Sequence, residues 1–88
     1  MKIAYTKEDI AFIDTEVNPQ TGEIFDYGAI TANQKLHTSS FHKFADLLQN
    51  SRYVCGHNIL NHDIPYIQKQ AGNVSGRIFQ NKIFIDTL

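Results

Sequence analysis

The chain has 88 residues, 42% of them hydrophobic, with a formal net charge of −1 and a single cysteine. That is room for one small domain with enough apolar material for a core, which excludes a disordered chain. The near-neutral balance also excludes a protein that holds nucleic acid by charge alone.

The first strand is expected over residues 10–17, where an apolar run, Ile10-Ala11-Phe12-Ile13, leads into Asp14-Thr15-Glu16-Val17. Asn18-Pro19-Gln20-Thr21-Gly22 reads as a turn, with Pro presetting φ and Gly tolerating positive φ. Glu23–Ile30 then returns as an antiparallel strand, and Lys35–Thr38 makes a short third one. Ser39 or Ser40 caps a helix whose Phe41, Phe44, Ala45 and Leu48 form one apolar stripe at helical spacing. Tyr53-Val54-Cys55 is a short buried strand ended by Gly56. Its cysteine has no partner for an internal disulfide and reads as a small buried hydrophobe.

A second helix is expected to start within Asn61–Pro65, where Pro tolerates the first turn, and to stop at Gly72-Asn73. Leu60, Ile64, Ile67 and Ala71 mark its apolar face. Residues 73–81 read as a polar loop and Lys82–Leu88 as a final strand. The order β-β-β-α-β-α-β is that of an α/β domain. No apolar run is long enough to span a membrane, and the polar start Met1–Asp9 lacks a signal peptide's apolar centre, so the expected setting is cytoplasmic.

The residues that carry chemistry lie at strand and helix ends. Asp14 and Glu16 are two apart, so in a strand both carboxylates leave one face. Two such charges close together are relieved by a divalent cation with oxygen ligands, unless the strand end has simply reached solvent. Asp63 opens the second helix, where the helix dipole favours its charge; it is either a further ligand or an ordinary helix cap. His57 and His62 lack the further ligands of a zinc site. His37 and His42 read as surface residues, and Tyr66 as packing or as a base-stacking ring.

Taken together, the Asp14-x-Glu16 strand, the hairpin, and Gly56-His57-Asn58-Ile59-Leu60-Asn61-His62-Asp63-Ile64-Pro65-Tyr66 resemble the DnaQ-like, or DEDD, 3′–5′ exonucleases. The resemblance covers nearly the whole chain, as the N-terminal portion of such a domain. It implies a ribonuclease-H-like mixed sheet and two Mg²⁺ or Mn²⁺ ions held by carboxylates. Asp14 and Glu16 match the first motif, and Asp63 matches the acid of the second in its longer-spaced form, with His62 replacing an aromatic.

All three are thereby implied as catalytic metal ligands that converge in the fold. Thr15 and Val17 are implied near the terminal nucleotide, and Asn58 either joins them or holds the loop. Asp86-Thr87-Leu88 resembles the D-T-L that follows the second motif, where the acid is usually not a ligand; a substitute fourth acid is the alternative. The fourth carboxylate and the general base of the family belong to a third motif that this sequence does not show. The expectation is therefore a piece of a larger enzyme, weak as a nuclease by itself.

The implied substrate is DNA or RNA with a free 3′ end. The G-H-N-I-x-x-H-D form is also similar to exonuclease domains fused ahead of helicases, which suggests DNA repair. The competing readings are a non-catalytic nucleic-acid-binding or interaction module of the same fold, and a ribonuclease-H-like integrase or nuclease using the same acids.

Overall fold

The computed structural model describes residues 9–87. The polar segment Met1–Glu8 and Leu88, both read above from sequence, lie outside the described residues. The elements are β1 (Ile10–Val17), β2 (Ile24–Ile30), β3 (Lys35–Thr38), α1 (Phe41–Leu48), β4 (Tyr53–Gly56), α2 (Asp63–Ala71), α3 (Asn73–Phe79) and β5 (Ile83–Asp86). They form an α/β fold on one five-stranded mixed sheet, ordered β3-β2-β1-β4-β5. β2 runs antiparallel to β1 and β3, whereas β4 runs parallel to β1 and β5.

Local chemistry sets the hairpin between β1 and β2. The Asn18 side-chain oxygen accepts from the amides of Gln20 and Thr21, and Gly22 closes the turn at φ 76°. Next to it the register slips. Glu16 faces Asp26 but Val17 faces Ile24, so Phe25 is the extra residue of a β-bulge. Phe25 turns to solvent and Ile24 stays buried. The bulge thus keeps the inner face of β2 apolar through its first residue.

The sheet buries one face. Ala11, Ile13, Tyr27, Ala29 and Val54 form a single cluster with Phe44 and Leu48 of α1, Ile64 and Ile67 of α2, Phe79 of α3, and Ile59. Each fully buried Ile, Leu or Phe contributes about 1.5–3 kcal/mol of transfer free energy. Tyr27 is the centre of this layer. Its ring lies 4.9 Å from that of Phe44, and its hydroxyl accepts from Gln70 Nε2 at 2.9 Å. The same Gln70 accepts from the Ile24 amide at 2.7 Å, which ties α2 to the start of β2. Burial raises the Tyr27 hydroxyl's pKa above its ordinary value.

On the other side of the domain, Lys82 Nζ donates to the carbonyls of Leu48 and Ser51, capping the end of α1. Desolvation lowers its pKa. The opposite sheet face carries no helix among the described residues, and Phe12, Ile30, Ile83 and Ile85 are exposed there.

Two features differ from the sequence expectation. Residues 73–79 form α3 rather than a loop, because Phe79 is drawn into the core and its ring meets that of Phe84 at 5.5 Å. Leu60 does not join the apolar face of α2: it is 49% exposed, and Ile59 is buried in its place. No helix of the described residues is long and apolar enough to cross a membrane.

Gly56 is where β4 turns into the loop before α2. A Cβ at this position would lie 2.5 Å from Ile59 Cγ2 and 2.7 Å from the Ile13 carbonyl oxygen. The second neighbour is backbone of the central strand and cannot move aside. Gly56→Ala is therefore expected to destabilise the fold by about 1–3 kcal/mol, the usual cost of overpacking, read as a lower urea midpoint at unchanged slope.

Candidate functional site

The pleat of β1 divides its residues. Ala11, Ile13 and Thr15 point into the helical layer, and Phe12, Asp14 and Glu16 point out of the uncovered face. Asp14 and Glu16 are both exposed, at the C-terminal end of the strand in the middle of the sheet. Antiparallel register places Gly28 opposite Asp14, and Asp26 opposite Glu16. It also places His37 of β3 opposite Gly28. Paired residues share a face, so Asp14, Glu16, Asp26 and His37 all stand on the open side of the sheet.

His37 lies across Gly28: a Cβ there would meet its ring at 3.2 Å. Its Nδ1 is 3.0 Å from Asp26 Oδ2. A hollow of about 180 Å³ opens between Phe12, Asp14, Gly28, Ile30 and His37. Sequence reasoning left His37 as a surface residue and did not single out Asp26. The signal for both is register, which depends on the turn lengths between strands rather than on any motif.

Asp63 arrives at β1 from the other side. It is the first residue of α2, only 3% exposed, and its Oδ2 accepts from Thr15 Oγ1 at 2.8 Å. His62 occupies the N-cap position, with no side-chain cap. Asp63 is therefore not the ordinary helix cap that its place in the sequence allowed. Its other oxygen, Oδ1, lies 3.5 Å from His62 Nδ1. The His62 ring in turn packs edge-on to Tyr66 at 5.1 Å.

The structure thus brings Asp63 to the residue between Asp14 and Glu16, with the strand separating it from their side chains. Among the described residues, no group of three or more His, Cys, Asp or Glu side chains is arranged to hold a metal ion.

The other residues of interest are placed as follows. Thr15 is buried, its hydroxyl committed to Asp63. Val17 is half-buried against the core at the bulge. Asn58 sits in the β4–α2 loop at φ 56°, a left-handed conformation that Asn adopts more readily than most residues. Its side-chain oxygen is buried without a hydrogen-bond partner. Asp86, at the end of β5, accepts from the amides of Asn58 at 2.8 Å and Leu60 at 3.2 Å.

A buried carboxylate that loses its donor bears a desolvation penalty of about 1–3 kcal/mol, more where it stays charged. Thr15→Val keeps the shape and removes the donor, so it is expected to destabilise by about that amount. Thr15→Ser, which retains the hydroxyl, is expected to restore most of the loss. Chemical denaturation of the two variants side by side separates the hydrogen bond from packing. Comparison of the chain with protein-family models, curated proteins and solved structures returns no match, and its functional reading rests on its residues and their geometry.

Proposed function

We propose that this chain is the N-terminal portion of a DnaQ-like 3′–5′ exonuclease domain that hydrolyses nucleic-acid phosphodiesters with Mg²⁺ or Mn²⁺, in DNA repair or processing. The observation that carries the reading is the arrangement around Thr15. Two exposed carboxylates flank it on the open face of the central strand, and a third, buried carboxylate is hydrogen-bonded to it. The sheet order and the single antiparallel strand β2 are compatible with the ribonuclease-H-like fold that such enzymes use.

Carboxylate oxygens are the donors that Mg²⁺ and Mn²⁺ prefer, so the chemistry of Asp14 and Glu16 suits such ions. Asp14 and Glu16 would hold the ions from the open face. Asp63 lies on the inner side of β1, so it would join the set only by giving up its bond to Thr15 and moving past the strand to the open side. When bound, two such ions supply a water acidic enough to attack phosphorus and a clamp on the leaving oxygen. The chain's own contribution is orientation. A central strand and a helix start are rigid mounts, and the apolar residues Phe12 and Ile30 line one flank of the hollow beside Asp14.

The non-catalytic module of the same fold draws on one observation, the engagement of Asp63 by Thr15, which keeps that acid off the open face.

The test is 3′ trimming of a 5′-labelled single-stranded DNA by the product of the entire reading frame. A ladder of products shortened from the 3′ end is expected with Mg²⁺ or Mn²⁺, and none with chelator, with Asp14→Asn, or with a blocked 3′ end. In parallel, metal at one hundred times its Kd is expected to stabilise the fold by about 2.7 kcal/mol through mass action. Asp14→Asn combined with Glu16→Gln is expected to erase that response. The absence of trimming, with or without a metal response, removes the exonuclease reading and favours the non-catalytic module.

A further inference from the structure

We infer that Asp86 is a positioning residue for Asp63, an inference that rests on the reading of Asp63 as part of the metal-binding set. Asp86 is the last residue of β5 and lies opposite Gly56 of β4. From there its two carboxylate oxygens reach across to the loop before α2, Oδ1 to the Asn58 amide and Oδ2 to the Leu60 amide. Thr87 adds a second attachment, its amide and hydroxyl both donating to the Gly56 carbonyl at 2.9 and 3.2 Å.

The held segment then determines where Asp63 sits. The His62 amide donates to the Asn58 carbonyl at 3.0 Å, and the Ile64 amide donates to the Ile59 carbonyl at 2.8 Å. The two amides that flank Asp63 in sequence are therefore bonded to carbonyls of the stretch that Asp86 fixes. Ile59, between the two clamped amides, is fully buried and anchors the same stretch from the core side. The result is a continuous path from β5 through the loop to Asp63, and from Asp63 through its hydrogen bond to β1.

The chemistry of the clamp suits a carboxylate. Two N–H donors converge on one side chain, and an ionised Asp is acceptor-only, with an oxygen for each. Asparagine keeps one acceptor but turns an NH₂ towards the other amide. The same geometry separates Asp86 from the role of a substitute fourth acid, because its oxygens are directed to backbone amides on β4's side of the sheet rather than to Asp14 and Glu16. Groups that orient metal ligands without touching the metal commonly change affinity by about 10–100-fold when altered.

The test uses the isotope-labelled chain, with Asp86→Asn as the variant and Asp46→Asn, on the exposed side of α1, as control. Asp86→Asn is expected to shift the carboxyl-carbon resonance of Asp63 and the amide resonances of His62 and Ile64, which the control leaves in place. It is also expected to weaken Mg²⁺ binding, measured calorimetrically with Mg²⁺ alone, by about tenfold.

Shifts confined to Asn58 and Leu60, with the Asp63 carboxyl unmoved, would mean that the clamp ends at the loop, and the inference fails. If the unaltered chain takes up no Mg²⁺, the ligand role of Asp63 fails while the carboxyl-carbon resonance still decides the positioning. Should Asp86→Asn not fold, the unaltered chain answers through hydrogen exchange. Amides of Asn58 and Leu60 that exchange as fast as in an unstructured peptide overturn the clamp, and protected ones support it.

Discussion

A strand that packs helices on one side only must sort its residues by parity, and β1 is the strand on which this sorting has the largest effect. Its odd positions, Ala11, Ile13 and Thr15, enter the core, and its even positions, Phe12, Asp14 and Glu16, leave it. A slip of one residue would bury two carboxylates and expose the isoleucine, so the register of β1 is held by a large free-energy difference. The pairing with β2 and β4, the placement of Gly28 and His37, and the docking of α2 against Thr15 all follow from that parity.

The polar position on the inner side, Thr15, shows how such a layer admits a charge. A buried carboxylate in an apolar core is costly unless it is hydrogen-bonded. Asp63 meets that condition with the Thr15 hydroxyl of the strand. The pair therefore links α2 to the sheet in a directional way that the surrounding Ile64 and Ile67 cannot. Apolar contacts fix distance, whereas this contact also fixes rotation of the helix about its axis.

Much of the architecture was legible because the governing signals are local. Alternation in β1, the turn chemistry of Asn18 to Gly22, and the stripe Phe41, Phe44, Leu48 each lie within a few residues, and every element but α3 sits within a residue or two of its expectation. Ser40 caps α1 as one of the two serines expected there. What was not legible depends on residues far apart in sequence. The inward turn of Ile59 in place of Leu60 is set by Asp86, 26 residues from Leu60. The partner of Asp63 lies 48 residues away. α3 was hidden because its paired apolar residues, Ile78 and Phe79, come only at its end, after a largely polar, glycine-containing stretch that matches a loop as well as a helix. The grouping of Asp26 and His37 with Asp14 needs the register of three strands at once.

The attachment of β5 has a kinetic side. β1, β2 and β3 are joined by short turns, and their pairing closes only small loops. β5 pairs with β4 across two helices, so its arrival must meet the entropy of closing a much longer stretch. The segment Asn58 to Leu60 receives its two side-chain hydrogen bonds only with that arrival. The open-face acids are therefore in register as soon as the meander forms, whereas the loop that carries Asp63 sets last. A ribosome emitting this chain releases Asp14 and Glu16 early, and the geometry around Asp63 waits for β5 to leave the exit tunnel.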